Sequence, residues 1–159
     1  MLKPLTEGNM KTNVKQQNNL KRKPISPAAP QPKRINKKMS KVIGIVGSRK
    51  RDDSISFESV KNAFLKVYQK GDTICSGLCS KGADRFAVIL SEQYNTKTIW
   101  YPALWTKNGI SAGYKRNTDI AKMSDILIAC VSPDRTGGTE DTIKKYYRYK
   151  YGSDNLIIV

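Results

Sequence analysis

The sequence predicts an α/β protein of the Rossmann-like, three-layer kind, built on a mainly parallel five-stranded sheet. From residue 41 to residue 159, short β-branched apolar runs alternate with segments whose apolar residues recur at helical spacing. The short runs are apolar throughout, which is typical of strands that are buried on both faces. Glycine-rich turns follow three of these runs, at the points where a strand would pass into a helix.

The predicted elements follow one another in strict alternation. Strands are predicted over residues 42–46, 72–75, 98–101, 126–131 and 156–159. Helices are predicted over residues 56–69, 84–94, 114–123 and 139–151. The polar stretch 105–117 is predicted to be a long loop that leads into the third helix, and loops of that length are more often functional than idle.

Charge divides the chain into two parts. The formal net charge is +16, and residues 1–41 hold 11 of the 29 Lys and Arg but one of the 13 acids. Residues 1–40 also hold five of the seven prolines, and such a segment buries too little apolar surface to offset its ordering entropy. We therefore predict a disordered basic tail or extension over 1–40, with Met39 as a second candidate start of the natural chain. One folded domain is predicted over 41–159.

The residue types present exclude several kinds of chemistry. The chain has no histidine, which removes histidine bases, histidine-activated nucleophiles and histidine-ligated metals. Its three cysteines are too few for a tetrahedral zinc site, so neither a metal nor a resident cofactor is predicted. An odd cysteine count fits a reducing compartment, and no apolar run is long enough to cross a bilayer. We expect a cytoplasmic protein without a membrane partner.

Three glycine-bearing turns follow the first, second and fourth predicted strands. Because the carboxyl ends of parallel strands meet at one edge of a sheet, we expect these turns to converge. Glycine lets the backbone approach a ligand, hydroxyl groups donate hydrogen bonds, and cations grip phosphate. The candidate ligand-binding residues of these turns are Gly47, Ser48, Arg49, Ser76, Gly77, Lys81, Gly82, Asp84, Gly137, Gly138 and Thr139.

The second and third of these turns lead into helices. The first amides of a helix lack partners and lie at the positive end of its dipole, so we expect unpaired N–H groups that bind an anion. Lys81 precedes Gly82, which is not the Walker arrangement, so triphosphate hydrolysis is disfavoured. Asp84 either caps its helix or contacts a ligand. Glu140 and Asp141 either complement the helix dipole or act as catalytic acids that orient a ribose hydroxyl or serve as a general base.

Aromatic and basic residues outside the turns suggest further contacts. Trp105 either stacks on a base or plugs the core, and Arg116 and Asn117 are predicted to open the third helix, where they would meet a ligand. Tyrosines and cations at the end of the last helix either stack on single-stranded nucleic acid, cover the sheet or form a homodimer contact. The basic tail is either an arm that binds nucleic acid or a solvated extension.

Taken in order, these motifs resemble the SLOG superfamily, the Rossmann-like group that joins Smf/DprA, the LOG phosphoribohydrolases and the YspA/YpsA-related proteins. The similarity covers essentially all of 41–159 and none of the tail. The residues that resemble the YspA-related branch are Gly47-Ser48-Arg49, Ser76-Gly77, Lys81-Gly82-Ala83-Asp84-Arg85, Trp105, Gly109, Ala112-Gly113, Arg116-Asn117 and Gly137-Gly138-Thr139-Glu140-Asp141.

The resemblance implies a pocket for a nucleotide or a nucleotide-derived molecule, such as one carrying ADP-ribose or a ribose phosphate. The protein would then be a sensor or an N-glycosidic (phosphoribo)hydrolase, in which Glu140 or Asp141 assists water and Arg116 and Arg49 hold phosphate. LOG-type enzymes use a longer Pro-Gly-Gly-x-Gly-Thr-x-x-Glu segment, and here the proline stands at Pro133. The alternatives are a single-stranded DNA- or RNA-binding protein of the Smf/DprA type and a deoxyribosyltransferase-like enzyme.

Overall fold

The computed structural model describes residues 39–152 and 154–159, so the predicted tail lies outside the described residues except for Met39 and Ser40. Strands and helices alternate along the described part of the chain, as the sequence predicts. The strands found there are β1 (Val42–Gly47), β2 (Thr73–Ser76), β3 (Lys97–Trp100), β4 (Ile126–Cys130) and β5 (Leu156–Ile158). The helices found there are α1 (Ser54–Val67), α2 (Ala83–Gln93), α3 (Trp105–Asn108), α4 (Ala112–Met123) and α5 (Gly138–Lys150).

The five strands form one sheet in the order β3-β2-β1-β4-β5, and every neighbouring pair is parallel. The predicted α/β class with a parallel five-stranded sheet is therefore confirmed. The chain moves outward from β1 through β2 to β3 and then crosses back to β4 on the other side of β1. The direction of winding therefore reverses between β1 and β4, and ligand sites of open α/β sheets lie outside the strand ends at such a point.

Helices cover both faces of the sheet, and each face has its own apolar core. Ile43 and Ile45 of β1 pack in one core with residues of α1 and α2, such as Phe64 and Phe86. Val46 of β1 belongs to the other core, together with residues of α4 and α5. Because successive strand residues point to opposite faces, a strand between two cores must be apolar at nearly every position. That requirement explains why β1 and β4 contain only apolar residues and glycine.

The segment between β3 and β4 differs from the prediction. The loop predicted over 105–117 contains α3 and a single 3₁₀ turn (Gly109–Ser111), and α4 begins at Ala112 rather than at residue 114. Arg116 therefore lies in the second turn of α4 and not at its start. The segment was mistaken for a loop because its glycines and polar side chains are typical of loops. In the folded chain Gly109 ends α3 with a φ of 52° and reverses the backbone between two short helical turns.

Two polar anchors hold the ends of the elements. Asp53 caps α1 by accepting a hydrogen bond from the backbone N–H of Ser56 at 2.8 Å. Tyr146 of α5 is buried in its core and donates its hydroxyl to the carbonyl of Asp125 at 2.8 Å, so this tyrosine covers the sheet. Within the described ranges no helix is long and apolar enough to cross a bilayer.

Candidate functional site

An open cleft lies at the carboxyl ends of the strands, where the turns after β1, β2, β3 and β4 meet. It has two adjoining parts that share wall residues. The outer chamber has a volume of about 890 Å³ and lies between the turn after β2, the α3–α4 segment and the start of α5. The inner chamber has a volume of about 240 Å³ and lies deeper, against the end of β1. This position coincides with the reversal of winding between β1 and β4.

The structure brings most of the sequence-predicted site residues to this cleft. Arg49, Arg116, Asn117, Gly137 and Gly138 line both chambers. Gly77, Trp105, Glu140 and Asp141 line the outer chamber only. Gly47, Ser48, Asp84 and Thr139 line the inner chamber only. The predicted convergence of the three turns is therefore observed, whereas ligand binding by these residues stays a prediction.

Three predicted residues line neither chamber. The buried hydroxyl of Ser76 donates to the carbonyl of Ile45 at 2.6 Å and so ties β2 to β1. Lys81 is exposed on the outside of the turn. Gly82 is buried beneath that turn, and a Cβ on it would lie 2.5 Å from the carbonyl oxygen of Ser48. Gly82 thus serves the close contact between the turns after β1 and β2.

The turn before α2 does not offer free amides at the positions where they were expected. The N–H of Gly82 donates to the Asp52 carboxylate at 2.8 Å, and the N–H of Cys79 donates to Asp84 at 3.0 Å. Asp52 is held in turn by Arg85, whose Nε lies 2.9 Å from the same oxygen. The prediction of unpaired amides in this turn is therefore wrong for Cys79 and Gly82, because the protein's own carboxylates occupy them.

The start of α5 has the open character that was predicted for both helices. Gly137, with a φ of 89°, precedes the helix, and no side chain caps its first turn in the described structure. Apart from Gly137 itself and its chain neighbours, no atom of the described residues lies within 4 Å of the position that a Cβ on Gly137 would take. The first amides of α5 therefore lie at the wall of both chambers with the positive end of the helix dipole.

Asp84 is the most buried acid of the cleft, with 6% of its surface exposed. It lies in the first turn of α2, yet its carboxylate accepts from the N–H of Cys79 in the preceding turn rather than capping the helix. The helix-cap interpretation is therefore wrong. Burial raises the pKa of the Asp84 carboxyl above its ordinary value, against the opposing effects of the Cys79 amide and of the Arg116 and Arg49 guanidinium groups.

Arg116 lines both chambers, and the described residues do not satisfy all the hydrogen-bond donors of its guanidinium group. Its Nη1 is 3.5 Å from the carbonyl of Gly77 and 3.9 Å from the Asp84 carboxylate. Its Nε is buried and has no hydrogen-bond partner among the described residues. Buried polar groups are normally paired, so this nitrogen needs an acceptor that the described residues do not supply.

The two predicted catalytic acids are both engaged by cations. Glu140 pairs with Arg135, whose Nη2 lies 3.2 Å from one carboxylate oxygen. Asp141 accepts from the amide of Asn117 at 3.0 Å and from Lys145 at 2.7 Å. Asn117 also donates to the carbonyl of Gly138 at 3.2 Å, so it connects α4 to the glycine turn before α5. Both acidic residues remain on the wall of the outer chamber.

The outer chamber also has an apolar wall. Trp105 is 57% exposed, which excludes the interpretation of this residue as a buried plug. Leu78, Ile110 and Tyr114 are exposed beside it on the same chamber. Arg49 and Lys144, on other walls of the chamber, form no ion pair among the described residues. The chamber therefore combines exposed apolar surface with free cations.

Several wall residues were missed by sequence reasoning, namely Leu78, Cys79, Tyr114, Arg135 and Lys144. Leu78 and Arg135 adopt left-handed backbone conformations, with φ of 57° and 51°. Such conformations cost non-glycine residues about 1–2 kcal/mol and are found at binding and catalytic sites more often than elsewhere. Nothing local in the sequence marks them. Only the position of Arg135, two residues before a glycine pair, pointed toward the cleft.

The polar groups of the cleft include the cations Arg49, Arg116 and Lys144. Within residues 39–152 and 154–159 no three cysteine or acidic side chains are grouped as metal ligands would be. Comparison of the chain with protein-family models, curated proteins and solved structures finds no match. The function is therefore inferred from the cleft itself.

Proposed function

We propose that the two-chamber cleft binds a nucleotide or a nucleotide-derived ligand and that Arg116 is its principal anchor. The observation that carries this proposal is the buried, unpartnered Nε of Arg116 at the junction of the two chambers. A phosphate group presents several acceptor oxygens and would complete the hydrogen bonding of a guanidinium fork. Arg49 lines the same junction and supplies a second cation.

The two chambers suit the two ends of such a ligand. The inner chamber is small and is bounded by Arg49, Arg116 and the first turn of α5, which are groups that favour phosphate. The outer chamber is larger and carries the exposed rings of Trp105 and Tyr114, which offer surfaces for a base. A nucleotide would therefore lie with its phosphate inward and its base against the α3–α4 segment.

Titration calorimetry with a panel of nucleoside monophosphates, nucleoside diphosphates and ADP-ribose tests the proposal. We expect Arg116→Gln to raise the dissociation constant of the tightest-binding ligand by about tenfold to a hundredfold, because a hydrogen bond to a charged group contributes about 1.5–3 kcal/mol. Arg148→Ala is the matched control, since Arg148 is an exposed cation of α5 that lines neither chamber. Equal losses in the two variants, or no binding of any nucleotide, would contradict the proposal.

N-glycosidic hydrolysis is the second proposal for the same cleft, and the paired acids on the outer wall favour it. Glu140 and Asp141 lie on the chamber that would hold the sugar, and each is held by a cation in a defined place. Chromatography of the bound nucleotide after long incubation tests for release of free base. Loss of release in Glu140→Gln or Asp141→Asn, with ligand affinity retained, supports hydrolysis. If the nucleotide is recovered unchanged after incubation, hydrolysis is contradicted and the sensor role remains.

Oligonucleotide binding in the Smf/DprA manner is the competing function. Tyr147 and Tyr151 of the α5 end are 44% and 97% exposed near the cation Arg148, and stacking on bases needs such accessible rings. Fluorescence anisotropy with a labelled single strand, at several salt concentrations, measures this function. A steep salt dependence that disappears when residues 1–38 are deleted would assign the binding to the tail and not to the cleft.

A further inference from the structure

Asp84 and Arg116 form an ion pair that is held just short of contact. The guanidinium Nη1 is 3.9 Å from Oδ2 of Asp84, which is outside hydrogen-bonding distance. Gly77 lies between them, and a Cβ on this residue would be 2.8 Å from Asp84 Oδ2 and 2.9 Å from Cδ of Arg116. The missing side chain at position 77 is therefore what lets the two charged groups face each other inside the cleft.

A second pair in the same corner of the molecule shows what a closed ion pair looks like. Arg85 Nε is 2.9 Å from Asp52, and the same carboxylate accepts the N–H of Gly82. Neither Asp52 nor Arg85 lines either chamber. The closed pair thus lies outside the cleft, whereas the longer Asp84–Arg116 pair lines the inner chamber.

We propose that Asp84 is a positioning residue that aims Arg116 at the inner chamber and releases it to an anionic ligand. This inference rests on the proposed function and adds a mechanism to it. The buried carboxylate attracts the guanidinium to the junction, and its distance of 3.9 Å leaves the Nε and Nη atoms able to turn to a better acceptor. When the anion takes Arg116, the Asp84 carboxylate takes up one proton from solvent and becomes a neutral carboxyl group.

The charged surroundings of Asp84 determine the direction of this proton movement. The charged side chains that line the inner chamber with it are Arg49 and Lys50 from the turn after β1 and Arg116 from α4, and the Cys79 thiol lies there too. Burial raises the pKa of Asp84, whereas the Cys79 amide, Arg116, Ser76 and Arg49 lower it. An anion in the chamber adds repulsion and diverts Arg116, and both changes raise the pKa of Asp84 further.

Sulfate is the probe for the test because it keeps the same charge over the pH range used. Amide chemical shifts of the full chain are followed by NMR while sulfate replaces chloride at constant ionic strength. The titration is repeated at several pH values between about 4.5 and about 7.5, and each gives a sulfate dissociation constant. We expect the sulfate dissociation constant to rise with pH, by up to about tenfold per pH unit where one proton is taken up. Asp84→Asn should bind sulfate with little pH dependence.

Asp52→Asn is the matched control, because Asp52 also accepts a turn amide and pairs with an arginine but lies outside the cleft. It should keep the pH dependence of the unsubstituted chain. The side-chain carboxyl ¹³C shift of Asp84 in the unsubstituted chain supplies a measurement that needs no variant. Its titration midpoint should move to higher pH when sulfate is added.

Three outcomes separate the inference from the proposed function. If sulfate does not move the titration midpoint of the Asp84 carboxyl, the positioning role is overturned while the proposal of nucleotide binding stands. The same holds if the sulfate dissociation constant of Asp84→Asn keeps its pH dependence. The positioning role is also overturned if Asp52→Asn loses the pH dependence of sulfate binding as strongly as Asp84→Asn does. The loss would then reflect a general disturbance of the turn before α2. Absence of any shift change with sulfate and with every nucleotide of the panel overturns both.

Discussion

α2 and α5 both begin after a glycine with a positive φ, 72° at Gly82 and 89° at Gly137, and no side chain of the described residues caps either helix. Their surroundings differ completely. The amide of Gly82 donates a hydrogen bond to Asp52, and a Cβ on this residue would lie 2.5 Å from the Ser48 carbonyl oxygen. Gly137 lines the cleft, and the place of its missing Cβ is open among the described residues. The same local pattern thus produces one helix end packed against the rest of the protein and one that is open to the cleft.

This difference shows that a glycine before a helix is not by itself a ligand site. Helix amides need acceptors, and a carboxylate from elsewhere in the chain satisfies them as well as a phosphate does. At α2 the acceptors are intramolecular, so the glycine is needed for packing. At α5 the space beside Gly137 is open among the described residues, so this glycine is not needed for a close contact between turns. Substitutions and chemical labelling at the two helix ends test that division of roles.

Alanine at the two glycines should separate packing from accessibility. Both residues have dihedral angles that are almost restricted to glycine, which costs another residue about 1–3 kcal/mol. Gly82→Ala also forces a Cβ against a backbone oxygen at 2.5 Å, so we expect a total loss of about 3–5 kcal/mol in the free energy of unfolding. Gly137→Ala should lose only about 1–3 kcal/mol. Urea unfolding measures both, and equal losses would contradict the comparison.

The two aspartates beside α2 should respond to pH in opposite directions. The Gly82 amide and Arg85 lower the pKa of Asp52 below 3.8, so its contribution to stability is present above pH 3.8 and is lost as pH falls through the lower folded pKa. Asp52→Asn should therefore destabilise the fold at neutral pH, by less than Gly82→Ala does. That difference from the unsubstituted chain should shrink in acid.

Burial raises the pKa of Asp84 above 3.8, so the stability from its protonated form is present below pH 3.8 and is lost as pH rises through the folded pKa. Asp84→Asn should therefore be more stable than the unsubstituted chain at neutral pH and similar to it in acid. Thermal unfolding of both variants across the acidic range measures the two trends. Trends of the same sign would show that the two carboxylates play equivalent roles.

Alkylation of Cys79 should report a ligand at the open end of α5, because this thiol lines both chambers opposite that helix. Cys75 and Cys130 are fully buried internal controls, and burial raises the pKa of Cys75 to about 11. We expect a single iodoacetamide adduct in the native chain, located by peptide mass spectrometry. A bound nucleotide at ten times its dissociation constant should slow this reaction about tenfold. An unchanged rate would place the ligand elsewhere.

The fold could be predicted because its signals are local and repeated. The strands β1 and β4 contain only apolar residues and glycine, and each long helix shows its buried residues at helical spacing, as Val60 and Phe64 do in α1. The convergence of the glycine turns followed from the parallel sheet alone. Element ends were off by one or two residues, as at the start of α4.

The filled end of α2 could not be predicted, because its partner lies far away along the chain. Asp52 is thirty residues before Gly82, and nothing in either local pattern links them. The same limit applies to Arg116, whose role depends on Asp84 and Gly77 from another turn. Local sequence patterns predict which residues lie at the carboxyl edge of the sheet. Hydrogen bonds and ion pairs between different turns determine which polar groups of those residues remain without a partner in the protein.

The inner chamber lies at the junction of the two helical layers, with Asp84 from α2 on one side and Arg116 and Thr139 from α4 and α5 on the other. A molecule bound there would add a further link between layers that the sheet and the Asp84–Arg116 ion pair already connect. Its binding energy would then be felt far from the cleft, as slower amide hydrogen exchange in the cores around Phe86 and around Ile120 alike. A small ligand would thereby couple the local unfolding of the two helical layers, so that both would unfold together.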